Sequence, residues 1–426
     1  MRVLLISANT ERINMPVLPL GLALIAEATR LAGHEVRLLN LMAHEDTSIA
    51  IKESIEEFSP QLIGISVRNI DDQNMERPRF LLDPVKEVVE KCRTISSAPI
   101  VIGGAGYSIF PKSALSYLKA DIGIQGEGEW AFVELIKRME RGEEISGIPG
   151  IYLPDTPFEA MTRSPINLDE YPLPNPDFQS WSHAIQDEKG IMIPFQTRRG
   201  CPMNCNYCST PVIEGNRIRR RSIEQVIKSI YKYVEAGHDR FFFVDNTFNL
   251  PPTYAEALCD SIIKEGLKIS WRSIVYPWKI KEDLVKKMAM AGCKEVSLGF
   301  ESGSKRVLRS MGKMFSPEDV RYISGIFKKY GIKQTGFLLL GGPSENRDSV
   351  EESLYFADSL KLDAMKITIG IRIYPDTSVA RIAIKEGLIE SQDELLFPRF
   401  YMARGLEDWL RKTIRSWLEG HPGWML

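Results

Sequence analysis

Short apolar runs rich in β-branched residues alternate with longer stretches in which apolar residues return every three or four positions. In the first third of the chain, residues 3–6, 35–39, 62–67, 99–102 and 122–124 read as strands. Residues 20–32, 49–58, 84–92, 113–118 and 129–139 read as helices between and after them. Strands separated by helices demand crossover connections. The expected fold class is therefore α/β, with an N-terminal doubly wound (Rossmann-like) parallel sheet covered on both faces.

Across residues 149–176 the rhythm stops, because Pro154, Pro157, Pro165, Pro172 and Pro174 interrupt any regular element, and an extended connector is expected. After Ile191 the alternation returns. Strands are expected near 193–196, 240–244, 269–275, 296–300, 335–340 and 365–373, with helices at 223–236, 254–265, 281–291, 305–309, 317–330 and 349–359. Six such units predict a partial (β/α)6 barrel of the TIM type. The last stretch, 396–426, carries Phe397, Phe400, Tyr401, Trp409, Trp417 and Trp424, which suits a small helical extension packing its aromatics on the body. The expected division is 1–150, a connector at 151–190, the barrel at 191–385 and the extension at 386–426.

Composition narrows the functional classes. With 44% hydrophobic and 26% charged residues among 426, the chain has the make-up of a soluble globular protein too long for one core. A formal charge of -2 and a pI near 6.3 provide no global positive field, so nucleic acid is not an expected partner. The run Arg219-Arg220-Arg221 reads as a solvated helix start. Residues 1–7 are apolar but pass at once into Asn9, Thr10, Glu11 and Arg12, which suits a first strand rather than a leader. No apolar run reaches the roughly 18 residues a transmembrane helix needs. Six cysteines, three of them clustered, fit a reducing, cytoplasmic setting and a metal site better than disulfides.

That cluster is Arg199-Gly200-Cys201-Pro202-Met203-Asn204-Cys205-Asn206-Tyr207-Cys208, at the end of the first expected barrel strand. Three thiolates at these gaps can each ligate one iron of a [4Fe-4S] cube and leave the fourth iron open. An open iron can chelate the amino and carboxylate groups of S-adenosylmethionine and deliver an electron to its sulfonium. Zinc is the alternative, but it wants four N/S ligands or three plus water, and His238 is the nearest histidine downstream. Cys92, Cys259 and Cys293 fall on helical or apolar stretches and read as small buried hydrophobes.

The C-x-x-x-C-x-x-C loop with an aromatic before its last cysteine resembles that of the radical S-adenosylmethionine superfamily, and the resemblance covers Ile191 to about Ile384. It implies that Cys201, Cys205 and Cys208 hold the cluster and that Tyr207 faces the adenine. Asp245 and Asn246, ending the second strand, stand where the family contacts the amino group of the cofactor's methionine, although the commoner G-G-E sequence is absent. Arg272, beside Ser273 on the third strand, would reach ribose or carboxylate. Gly299-Phe300-Glu301-Ser302-Gly303 resembles the family's G-x-E-S-G segment and marks Glu301 and Ser302. Gly341-Gly342 resembles the fifth-strand turn beside the adenine.

The first third resembles the cobalamin-binding domain fused to many radical enzymes, through Pro16-Val17-Leu18-Pro19-Leu20-Gly21-Leu22, Gly103-Gly104 and Gly126-Glu127-Gly128. Leu18, Gly21, Gly103, Gly104, Gly126 and Glu127 would then line a corrin crevice. The Asp-x-His-x-x-Gly segment of base-displacing relatives is replaced by residues 9–14, Asn-Thr-Glu-Arg-Ile-Asn, so no histidine there can ligate cobalt. His34 and His44 read as surface or helix-end residues. Arg68 and Asn69 follow the third strand, and Arg68 is expected beneath the corrin, with a salt bridge to Asp71 or Asp72 as the alternative.

Together these resemblances imply a cobalamin-dependent methyltransferase acting on a poorly activated carbon or phosphorus of a small metabolite or lipid intermediate, fed by an external electron donor such as flavodoxin or ferredoxin. No side chain is assigned as a catalytic acid or base. A cyclase, a ring-rearranging enzyme or a transferase of another part of S-adenosylmethionine is the second reading, and an electron-relay protein without turnover is the third.

Overall fold

The computed structural model describes residues 1–11, 18–154, 167–176 and 192–426. Arg12, Ile13, Asn14, Pro16 and Val17 of the first loop, and Pro157 and Pro165 of the connector, lie outside the described residues. The chain divides into two compact units. One comprises Met1–Asp72, Phe80–Ile191 and Val212–Gly215, and the other Gln73–Arg79, Met192–Pro211 and Asn216–Leu426.

The first unit is a six-stranded sheet. Its strands are β1 (Arg2–Ser7), β2 (Glu35–Asn40), β3 (Leu62–Ser66), β4 (Ile100–Gly103), β5 (Ile122–Ile124) and β6 (Ile151–Tyr152), in the order β2-β1-β3-β4-β5-β6. The first five are parallel, because the helices α1 (Leu20–Leu31), α2 (Thr47–Phe58), α3 (Leu82–Ile95), α4 (Ala105–Ile109), α5 (Pro111–Leu118) and α6 (Gly128–Arg141) carry the chain between strands or away from the last of them. β1 is central, and its Val3, Leu4, Leu5 and Ile6 are all buried, as a strand covered on both faces requires. β6 comes from the start of the expected connector and closes the edge antiparallel to β5. The strand order reverses between β1 and β3, and that reversal opens a crevice beyond their carboxyl ends.

The second unit carries β7 (Ile193–Phe195), β8 (Arg240–Phe243), β9 (Ser270–Val275), β10 (Cys293–Glu301), β11 (Lys333–Leu340) and β12 (Ala364–Ile369), all parallel and adjacent in chain order. The intervening helices are α7 (Ile223–Glu235), α8 (Pro252–Lys264), α9 (Glu282–Met290), α10 (Lys305–Ser310), α11 (Pro317–Lys329) and α12 (Arg347–Leu360), followed by α13 (Ser378–Lys385) and α14 (Glu407–Glu419). Burial along β9, β10 and β11 alternates strictly through their middles, so Val296, Leu298 and Phe300 pack under helices while Glu295, Ser297, Gly299 and Glu301 face the opposite side. At the start of the sheet, Phe195, Phe241, Phe243, Phe248 and Trp271 meet edge-on or tilted with ring centroids 4.9–6.1 Å apart.

Three features depart from or extend the sequence reading. Trp424 and Met425 form a seventh strand, β13, parallel to β12, so the aromatic tail ends in the sheet after its helix. Residues Gln73–Arg79 belong to the barrel unit, where Gln73 Nε2 donates to Tyr374 Oη at 3.1 Å and Glu76 pairs with Arg415 at 3.4 Å. The arginine run is no solvated helix start: Arg219 and Arg220 form a short ladder with Arg198 and Arg199, Arg221 is buried, and α7 begins after its Ser222 cap. Arg221 N–H is held by the Thr197 carbonyl at 3.0 Å, which explains the burial.

Candidate functional site

Cys201, Cys205 and Cys208 follow β7 on one loop, each half-buried, and their thiols lie close enough for Cys201 and Cys208 to act electrostatically on Cys205. The loop is held from behind. Asn206 N–H donates to Met311 O at 3.0 Å, its Nδ2 donates to Ser310 O at 2.8 Å, and its carbonyl accepts from Val379 N–H at 3.0 Å. Gly312, at φ 74°, passes so near that an added Cβ would sit 2.4 Å from the Asn204 carbonyl oxygen. A side chain there would push the cysteine loop outward. Among the described residues, no three Cys, His, Asp or Glu side chains converge closely enough to hold a single metal ion. Three neighbouring thiols on a loop backed by backbone hydrogen bonds fit the corners of a cube, which are spaced further apart than ligands of one ion.

Tyr207 and Glu301 meet beside this loop. Tyr207 Oη donates to Glu301 Oε1 at 3.0 Å, and both receive the ammonium of Lys313, at 2.9 Å from the phenol and 3.2 Å from the carboxylate. The Lys313 side chain is only 3% exposed, and Glu301 15%. Burial works against the Lys313 charge, yet Glu301, Tyr207 and Cys205 outweigh it and hold its pKa well above the ordinary lysine value. Burial pushes the Cys205 thiol up to about 11, with Lys313 pulling the other way. Enclosure, reinforced by Glu301, likewise raises Tyr207. Glu301 sits at φ 64°, beside an irregularity in the β10–β11 register, which turns its carboxylate toward Tyr207 and Lys313. Lys313 and Asn206 carried no signal in the sequence.

The other expected residues make the following contacts within the chain. Asp245 is fully buried, accepting from Thr197 N–H at 2.7 Å, Thr197 Oγ1 at 2.6 Å and Arg198 N–H at 3.0 Å, with Arg198 Nε 3.1 Å away. It anchors the chain just before the cysteines, and Asn246 beside it is half-buried. Arg272 lies on β9 with its guanidinium 4.3 Å above the Phe242 ring, and burial lowers its pKa. Ser302 Oγ pairs with Ser353 Oγ at 2.8 Å and accepts from Ser304 N–H, locking the end of β10 to α12. Gly341 and Gly342 turn the end of β11, both donating to the buried carboxylate of Glu345. The structure thus brings together the cysteines, Tyr207 and Glu301, whereas Asp245 and Ser302 hold the framework.

In the first unit, one crevice is lined by Asn9, Thr10, Ser66, Arg68 and Asn69 at the carboxyl ends of β1 and β3. Arg68 and Asn69 are exposed at the crevice. A neighbouring cavity of about 510 Å³ is walled by Thr10, Met42, His44, Glu45 and Lys91. Leu18 is buried before α1, and exposed Gly21 has nothing within 4 Å of a would-be Cβ, which leaves its backbone open to a planar ligand. Gly104 serves a close approach instead, since a Cβ there would lie 2.6 Å from the Val67 carbonyl oxygen beside Gly103. Gly126 N–H is held by Ser108 Oγ at 2.8 Å, and Glu127 stands at the residue before α6. His34 lies at the opposite end of the sheet against the terminal amine, 3.1 Å away, and His44 is exposed before α2. A crevice with polar strand ends and an arginine among its lining residues suits a corrin without a histidine beneath it.

Comparison with known proteins places these two sites in context. Residues 6–136 match the B12 binding domain and residues 195–357 the radical SAM superfamily. An uncharacterized methyltransferase of Pyrococcus horikoshii is 31% identical over 403 residues, covering 91% of this chain and 84% of that protein. The cytidylyl-2-hydroxyethylphosphonate methyltransferase of Streptomyces wedmorensis is 24% identical, covering 91% and 82%. The solved radical S-adenosylmethionine methyltransferase TsrM of Kitasatospora setae, with cobalamin and a [4Fe-4S] cluster bound, superposes with a TM-score of 0.86 at 21% identity, covering 100% of this chain and 90% of that one.

Proposed function

This chain belongs to the cobalamin-binding radical S-adenosylmethionine methyltransferases, and from that premise we propose that it methylates a poorly activated carbon or phosphorus of a small metabolite or lipid intermediate. The observation that carries the reading is the pairing, in one chain, of a three-cysteine loop walled by Tyr207 and Glu301 with a switch-point crevice that has no histidine at its strand ends. When bound, cobalamin supplies a transferable methyl group, and the cluster with S-adenosylmethionine supplies the one-electron chemistry needed to activate an inert position.

The residues of this chain bind and orient. Cys201, Cys205 and Cys208 would hold three irons, and the Asp245–Thr197 hydrogen bonds fix where their loop starts. Tyr207 would flank the adenine, its ring held at the phenol by Glu301 and Lys313. The glycine turn at Gly341 and Gly342 would allow close approach of the same ring, and Arg272 and Asn246 offer polar contacts to ribose or methionine. In the first unit, Leu18, Gly21, Asn69, Gly103, Gly126 and Glu127 would border the corrin, with Arg68 beneath the cobalt. An external donor such as flavodoxin or ferredoxin would supply the electron, in a cytoplasmic setting. Among the described residues no helix is long and apolar enough to cross a membrane.

The test needs no knowledge of the final substrate. Protein reconstituted anaerobically with iron, sulfide and cobalamin, reduced, and given S-adenosylmethionine labelled in its methyl group should pass the label to the bound cobalamin. Label retained in S-adenosylmethionine, with cobalamin bound and reduced, would favour cyclisation or rearrangement instead.

A further inference from the structure

The least expected group in the barrel unit is a lysine shut away behind the cysteine loop. Lys313 donates to Tyr207 Oη at 2.9 Å and Glu301 Oε1 at 3.2 Å. Its ammonium also lies 5.2 Å, 5.8 Å and 5.9 Å from the ring centres of Tyr207, Tyr276 and Phe315. Three aromatic faces and one carboxylate surround it, and at 3% side-chain exposure its charge is screened little by salt.

Its position relative to the cysteines is set by backbone. Residues 310–312, immediately before it, carry the Ser310 and Met311 carbonyls that hold Asn206, and Gly312 presses on the Asn204 carbonyl. Immediately after it, Met314 N–H donates to Tyr276 Oη at 3.0 Å. Lys313 cannot swing away without breaking the loop's own support. Tyr207, whose phenol Lys313 holds at 2.9 Å, immediately precedes Cys208, so the ammonium stands one side chain from the cysteine loop.

Resting on the assignment of Cys201, Cys205 and Cys208 as cluster ligands, we infer that Lys313 is a positioning residue that raises the reduction potential of the cluster, with Glu301 as its opposing partner. Three thiolates and a cube carry net negative charge, and reduction adds one more electron with no bond made or broken. A fixed cation nearby favours the reduced form, and a fixed anion disfavours it. Tyr207 and Glu301 are held by the same ammonium, so the device that tunes the cluster also orders the adenine wall.

Full-length protein, reconstituted anaerobically, is titrated with dithionite in the presence of redox mediators, and the paramagnetic signal of the reduced cluster is followed against potential. Iron and sulfide are counted first. Lys313→Met should keep its iron but titrate at a lower potential. At the poise that half-reduces the wild type, its reduced-to-oxidised ratio should fall roughly tenfold or more, since even a unit charge about 12 Å away through an effective dielectric of about 20 contributes that much. Lys313→Arg should stay near wild type, and Glu301→Gln should shift in the opposite direction. An iron-replete Lys313→Met that overlays the wild type overturns the inference, as does a shift of Lys313→Met and Glu301→Gln in the same direction, which would signal loosened packing. If Lys313→Met cannot hold iron, Glu301→Gln decides: an upward shift supports the inference and an unchanged potential overturns it. A wild type that takes up no iron would refute the ligand assignment itself, before any titration, and this inference with it.

Discussion

At the scale of single residues, the informative case is Asp245, which the sequence marked as a cofactor contact and the structure surrounds with its own chain. Every hydrogen bond it accepts comes from Thr197 or Arg198, within four residues of Cys201. Removing one partner of a buried pair strands the other, here the guanidinium of Arg198, at a cost of about 3–5 kcal/mol. Asp245→Ala should therefore lower the denaturant midpoint by that order and reduce iron per chain, while the fraction that keeps its cluster binds S-adenosylmethionine with unchanged affinity. A variant with full iron and weakened S-adenosylmethionine binding would return Asp245 to the role of contact. The cysteines were legible because three thiols within eight residues announce themselves. Lys313 was not, because a lone lysine after a helix carries no sign that it will meet Tyr207 across a separation of 106 residues.

At the scale of elements, the regular strands and helices were readable because each is long enough to show its period. The two-residue strands β6 and β13 show none, and Gln73–Arg79 reads as a polar loop until its partners Tyr374 and Arg415 are in place. The turn after β11 belongs with these silent features. Gly341, at φ 95°, lies where a Cβ would meet Met402 Sδ at 2.6 Å, and Glu345 folds back to accept from the N–H groups of Gly341 and Gly342. Burial raises the Glu345 pKa to about 7 despite those donors and the nearby Arg306, and its Oε1 has no partner. A carboxyl that holds its proton more tightly when folded contributes stability that is complete below its unfolded pKa, near 4.5, and lost as pH rises toward 7. The loss is about 3 kcal/mol, at 1.36 kcal/mol per pKa unit. Wild-type protein should accordingly have a lower urea midpoint at pH 8 than at pH 5, and Glu345→Gln should flatten that difference. Tryptophan fluorescence is a suitable probe, since Trp271, Trp278, Trp409, Trp417 and Trp424 all lie in the barrel unit. An equal pH dependence in the two proteins would remove Glu345 as its source.

At the scale of the whole molecule, each unit has its own sheet and its own buried core, so occupancy of one site need not depend on the chemistry of the other. The two cofactor assignments are therefore separately testable. Replacing Cys201, Cys205 and Cys208 together by alanine should abolish iron binding and leave the absorbance of bound cobalamin intact, because the trio belongs to the second unit and the crevice is lined by residues of the first. Arg68→Ala should do the reverse. No histidine stands at the ends of β1 and β3 among the described residues: His34 is at the far end of the sheet, and His44 follows β2. Placed beneath a bound corrin as proposed, the Arg68 guanidinium would offer no lone pair to the metal and would repel a cationic centre. Removing it should admit water as a lower ligand and shift the cobalt absorbance bands, with iron content unchanged. A spectrum identical to wild type would place Arg68 away from the corrin, and loss of iron in the same variant would show that the two sites do not fold independently.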